Sequence, residues 1–162
     1  MVSNNAACGV VADVVRKFGE VRIRVFGTSM MPALNPGDSI FVKRAAIEEV
    51  SAKEIVLFLQ DGRLFAHRVV RTVRGQGADD LRLITRGDRL QQNDFPISPS
   101  ELLGRVMWAE RHGRRIDPSK PLSYLKRMIA PILQASEHAT YVYMRFIDLQ
   151  RSILFGEAVR KI

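Results

Sequence analysis

Between residues 21 and 110 the chain is interrupted every few residues by a turn signal, and that punctuation excludes any fold built there on long helices. Short β-branched or aromatic runs with partial period-two alternation occupy residues 21–26, 39–43, 54–59, 63–73, 81–85 and 104–110. Pro36-Gly37-Asp38, Asp61-Gly62, Gly75-Gln76-Gly77 and Gly87-Asp88 separate them. The pattern predicts a compact, mainly β body.

On either side the period becomes helical. Val10, Val11, Val14, Val15 and Phe18 predict a short amphipathic helix over residues 5–18, ended by Gly19. Beyond Pro118, the residues Leu122, Leu125, Met128, Ile129, Ile132 and Leu133 fit one helical face, which Pro131 should kink or restart. A second helical stretch over residues 138–158 carries Tyr141, Met144, Ile147, Ile153 and Leu154. The expected division is an N-terminal helix over 1–20, a β-rich body over 21–117 and a basic helical extension over 118–162.

With 162 residues, 46% of them hydrophobic, one core is enough. The single cysteine, Cys8, excludes an intrachain disulfide, and with three scattered histidines no metal site is expected. No cofactor is expected either. No apolar run reaches the roughly 18 residues that span a bilayer, and the N-terminus does not read as an export signal, so the expectation is a cytoplasmic protein. The net charge of +8 favours anionic partners, and residues 114–162, with nine Lys/Arg and four Asp/Glu, hold most of it. The expectation is peripheral contact of residues 118–162 with an anionic membrane or a membrane partner, and no nucleic-acid partner.

Ser29 follows Gly27-Thr28 and opens Ser29-Met30-Met31-Pro32, which places a hydroxyl where the backbone must turn. A serine before a turn is ordinarily only that. A nucleophilic serine needs a base that is partly neutral near neutral pH, and histidine meets that need. In Leu64-Phe65-Ala66-His67-Arg68-Val69-Val70, alternation puts His67 on the face of Phe65 and Val69, opposite Arg68. His112 and His138 have no comparable setting. A third group should orient the imidazole, and Asp88 and Asp94 are the candidates. Asp88 could equally pair with Arg86 or Arg105 in a turn. Lysine is the other possible base, but Lys43 and Lys53, the two in the β body, sit beside charged or turn residues.

Taken in order, Ser29-Met30-Met31-Pro32, Asn35-Pro36-Gly37-Asp38-Ser39-Ile40-Phe41-Val42, Lys53-Glu54-Ile55-Val56-Leu57-Phe58, His67-Arg68-Val69-Val70, Thr85-Arg86-Gly87-Asp88 through Asp94, and Leu103-Gly104-Arg105-Val106 resemble the successive boxes of type I signal peptidases. The related LexA-like autoproteases share the β body. The resemblance implies that fold, and with His67 at the base position it implies the Ser-His form of the archaeal and endoplasmic-reticulum subgroup. It implies Ser29 as nucleophile, His67 as base, Asp94 as third member and Asp88 as support of the loop, the two aspartates being exchangeable at this level.

The mechanism so implied is attack by Ser29 on a peptide carbonyl and hydrolysis of an acyl-enzyme. The Ser29 N–H would meet the oxyanion. The only side-chain donor on offer nearby is Thr28, since residue 27 is glycine. The substrate would be a precursor peptide or protein, lying extended against a strand edge and cut after small residues, with Met30, Met31 and Phe65 beside the cleft or in the core. The alternatives are a LexA-like regulator that cuts itself, with Cys8-Gly9 as the candidate bond, and a non-catalytic binding module on a peptidase fold.

Overall fold

The computed structural model describes residues 4–75, 80–120 and 124–159. In chain order the elements are α1 (Asn4–Phe18), β1 (Glu20–Arg24), β2 (Ser39–Lys43), one 3-10 turn (Ile47–Glu49), β3 (Ile55–Gln60), β4 (Arg63–Arg74), β5 (Leu81–Arg86), β6 (Leu102–Arg111), β7 (Arg114–Ile116), α2 (Tyr124–Ala135) and α3 (Glu137–Val159). The strands form one antiparallel sheet in the order β1-β2-β6-β3-β4-β5, with β7 joined to β6. The mainly β body is thus observed, with a helix before it and helices after it.

β3 explains why Ile55-Val56-Leu57-Phe58 shows no alternation. Ile55 and Leu57 pack into one core cluster, and Val56 and Phe58 into another, so both faces of the strand are buried. Helix α1 covers the first cluster, where Ala12 and Val15 are fully buried against Met30, Leu34, Ile40 and Val106. Each buried Val, Leu, Ile or Met side chain among these contributes about 1.5–3 kcal/mol. The expected apolar stripe is rotated, because Val10 and Phe18 are 63% and 66% exposed. Its orientation is fixed at the helix end: Gly19, at φ 81°, donates to the Val15 carbonyl and turns the chain into β1.

Two short hairpins reverse the chain. Asp61 and Gly62, both at positive φ, join β3 to β4, and His112 and Gly113 do the same between β6 and β7. The first pair was legible as a turn; strand β7 was not anticipated. Its three residues show no alternation and become a strand only because the His112-Gly113 turn lays them against β6. Before β6, Glu101 closes a turn. Burial disfavours its carboxylate, but hydrogen bonds from the Ser98 N–H, the Ser98 hydroxyl and Gln60 outweigh that and hold its pKa below the usual value.

Helix α2 runs through Pro131, and the restart expected there comes at Ser136, whose hydroxyl accepts the Ala139 N–H. Leu133, Thr140 and Ile147, spaced by seven residues, are buried along one face that runs from α2 into α3, whereas Ile132 and Tyr141 are exposed. Leu122 and part of the Gly75-Gln76-Gly77 turn lie outside the described residues, as do the side chains of Leu125, Met128, Ile153 and Leu154. Among the described residues no helix is long and apolar enough to cross a membrane.

Candidate active site

The chain leaves β1 at Arg24, loops through residues 25–38 and returns as β2, and this loop carries Ser29. Its base is closed by backbone bonds from Val25 to Asp38 and from Gly37 to Val25, at 2.8 and 2.6 Å. At its tip Met31 donates to the Thr28 carbonyl and Leu34 to the Met30 carbonyl. These turns sink Met31, Ala33 and Leu34 into the interior and leave Ser29 half-buried at the surface.

The end of the loop is held by a buried charge. Asp38, 1% exposed, accepts the Asn35 N–H at 2.8 Å and is gripped by the guanidinium of Arg111 on β6, whose Nη2 lies 2.6 Å from Oδ2. The same Nη2 donates to the Ala33 carbonyl at 3.1 Å. One arginine thereby ties the loop to the sheet at two points.

His67 lies on β4, opposite Val56 of β3, and is 3% exposed. Its ring packs against those of Phe58 and Phe65, with centroids 6.0 and 5.7 Å away. Nδ1 lies 2.6 Å from Asp94 Oδ2, and Nε2 lies 3.0 Å from Ser29 Oγ. An ionised Asp94 only accepts, so it draws the imidazole proton to Nδ1 and leaves the Nε2 lone pair facing the Ser29 hydroxyl.

Asp94 reaches His67 because residues 94–97 run back along β5. Asp94 donates its N–H to the Thr85 carbonyl, and Leu83 and Ile97 exchange backbone bonds. The buried Thr85 hydroxyl then donates to Asp94 Oδ2 at 2.6 Å, a second donor on the oxygen that meets the imidazole. Asp88 faces the other way. Register sets Arg68 of β4 directly opposite Arg86 of β5, and Asp88 answers Arg68 with two bonds of 2.7 Å, rather than pairing with Arg86 or Arg105. Arg105 instead meets Glu54.

Alternation along β4 thus sends His67 to one aspartate of the 87–94 loop and Arg68 to the other. Thr85, Arg68 and Arg111 were not singled out from sequence as parts of this arrangement. Arg68 was readable as opposite in face to His67, but its partner depends on which strand lies alongside.

Gly87 lies close against Ser29. A Cβ there would stand 2.8 Å from the Ser29 carbonyl oxygen and 3.0 Å from its Cβ, so the two segments would have to separate. Gly87→Ala protein is expected to stay folded by circular dichroism yet react with a serine-directed fluorophosphonate about 10²-fold more slowly, since misplacement by about 1 Å costs that much. An unchanged rate would show that Ser29 is not held by this contact.

A cleft of 620 Å³ opens beside the Ser29–His67 pair and is mainly apolar, lined among others by Val25, Gly27, Met30, Leu57 and Ala66. Ala7, Cys8 and Val11 of α1 form one wall. Phe65 is shared between this cleft and a second hollow of 690 Å³, lined by Gln60, Gln91, Gln92 and Asn93 together with Asp94. Of the residues expected beside the cleft, Met30 and Phe65 line it. Met31 is fully buried by the turn that follows Ser29, and neither it nor the half-buried Thr28 lines the cleft. Neither Lys43 nor Lys53 lines it, and no group of residues suited to holding a metal ion occurs among the described residues.

No curated protein matches the chain. A family model described as Peptidase S24-like matches residues 10–107, from the middle of α1 into β6, a span that includes Ser29, His67 and Asp94. With well over half of the sequence inside that match and the β body around it, the chain belongs to the Peptidase S24-like family, within the LexA and signal-peptidase-like superfamily of serine peptidases.

Proposed function

We propose that the protein is a serine endopeptidase of the signal-peptidase type, acting on an extended precursor peptide with Ser29 as nucleophile, His67 as general base and Asp94 as the group that orients the imidazole. The observation that carries this reading is the continuous hydrogen-bonded line from Ser29 Oγ through His67 to Asp94 at the edge of an apolar cleft. In the proposed reaction Ser29 Oγ attacks the scissile carbonyl while its proton passes to His67 Nε2. The imidazolium, stabilised by Asp94, returns the proton to the leaving amine, and water then hydrolyses the ester by the same route.

Negative charge on the carbonyl oxygen needs donors that are free beforehand. Among the described residues neither the Ser29 nor the Met30 N–H has a hydrogen-bond partner, which supports these two for that task. The substrate's position follows from the sheet. β1 is an edge strand, and its continuation through Val25, Phe26 and Gly27 borders the cleft, so an extended peptide can add to that edge. Exposure of Phe26, at 83%, leaves a large apolar side chain beside such a peptide. The apolar hollow beneath suits small side chains before the cut.

The second reading, self-cleavage at Cys8-Gly9, has one observation in its favour, that Cys8 stands in the wall of the same cleft. Against it, both residues are inside α1, and a helical peptide bond must be unwound before it can lie extended beside Ser29. Wild-type and Ser29→Ala protein incubated alone are expected to keep the same intact mass, with a fluorophosphonate adduct only on the wild type. A shorter wild-type product ending at Cys8 would favour the self-cleaving regulator; absence of any adduct would overturn the peptidase proposal.

A further inference from the structure

The 87–94 loop that brings Asp94 to His67 is also grasped from outside the family match. Gln134 of α2 donates Nε2–H to the Asp88 carbonyl at 2.8 Å. Arg89 donates Nη1–H to Glu137 Oε1 and to Thr140 Oγ1, both at 3.0 Å. These contacts differ in weight. The Glu137 side chain is 87% exposed, so water screens that ion pair. Thr140 is 5% exposed, and its hydroxyl is itself fixed by the Leu133 and Ser136 carbonyls at the junction of α2 and α3. The anchor is therefore Thr140.

The same residue touches the nucleophile. The Arg89 N–H donates to the Ser29 carbonyl oxygen at 2.8 Å, close to the Gly87 contact. Arg89 thus has its backbone on the Ser29 loop and its guanidinium on the first turn of α3. The guanidinium is largely buried, and among the described residues its Nε–H has no partner, a cost that a purely solvated arginine would avoid.

We propose that Arg89 is a positioning residue through which the junction of α2 and α3 sets the geometry of Ser29 and His67. The first turn of α3 fixes the guanidinium, the Arg89 backbone fixes the Ser29 carbonyl, and the remainder of the loop delivers Asp94. Its effect on rate rests on the serine-peptidase reading; its effect on geometry does not.

The test uses the whole 162-residue chain with Arg89→Met, Arg89→Lys and, on the α3 side, Thr140→Val. Two quantities are measured: the rate of Ser29 acylation by a fluorophosphonate, and the downfield proton resonance of His67 Nδ1–H, assigned by its loss in Asp94→Asn. Arg89→Met and Thr140→Val are expected to acylate about 10- to 100-fold more slowly, with the His67 resonance shifted or broadened and Arg89→Lys recovering part of the rate. An unchanged rate and resonance in Arg89→Met and Thr140→Val overturn the proposal, whatever happens to their thermal stability. If the wild type forms no adduct, the peptidase reading falls and the resonance alone decides: an unchanged signal sinks the positioning role, and a displaced one supports it. If Arg89→Met fails to fold, Thr140→Val is judged by the same two criteria.

Discussion

Asp94→Asn protein is expected to acylate and turn over about 10⁴-fold more slowly than wild type, approaching the loss of about 10⁶-fold expected in turnover for Ser29→Ala. The substitution keeps the size of the side chain and removes its charge. An amide beside Nδ1 can donate as well as accept, so it no longer forces the imidazole proton to Nδ1 and away from the nitrogen that faces Ser29. The imidazolium formed during attack also loses its compensating carboxylate. The Thr85 hydroxyl, 2.6 Å from the same oxygen, is expected to hold the asparagine in place, so the fold survives while the chemistry fails.

Asp88→Asn separates the two aspartates. Its carboxylate meets Arg68 and not His67, so its loss should leave the acylation rate within the same order as wild type while destabilising the fold by about 1.5–3 kcal/mol, the scale of a charged hydrogen bond. Part of that cost arises because Arg68 would be left opposite Arg86 with no anion between them. Fluorophosphonate kinetics and urea unfolding of both variants check the assignment. Equal rate losses for Asp88→Asn and Asp94→Asn would contradict it.

The largest stability effect is expected at the other end of the Ser29 loop. Arg111→Met should destabilise the protein by about 3–5 kcal/mol, because it strands the Asp38 carboxylate, 1% exposed, without its cation. The Ala33 carbonyl also loses a donor. Breaking one side of a buried pair costs more than removing both, so the double variant Asp38→Asn with Arg111→Met should recover part of the loss. Denaturant midpoints at constant slope would show this order. A double variant no better than the single would mean that the Ala33 contact and the packing of the arginine stem, not the stranded charge, dominate.

Much of the β body was legible because its signals are local. Alternation, β-branched runs and Gly-containing turns act over a few residues, and β2 was bounded as observed while the other expected strands differ at their ends by up to two residues. Strand β7 escaped because three residues are too few for a period, although the His112-Gly113 pair at positive φ marked the turn before it. The apolar stripe of α1 was assigned from four valines and Phe18, and packing kept Val15, added Ala12 and left Val10 and Phe18 exposed; helix rotation is set by what lies beneath, which local sequence does not contain. Pro131 was read as a kink or restart, yet the helix runs on to Ala135 and the cap at Ser136 marks the restart.

The site divides along the same line. The sequence by itself determined that a serine stands at a sharp turn, that His67 shares an apolar strand face, and that two aspartates follow in one Gly-containing loop. Which aspartate meets the imidazole, which arginine neutralises the other and which helices hold the loop were decided only by tertiary structure. The physical reason is that strand alternation fixes only the face to which a side chain points, while register and backbone pairing between distant segments fix what it meets there. His67 and Arg68 are neighbours in the chain, and the pairing of β4 with β5 gives them opposite partners.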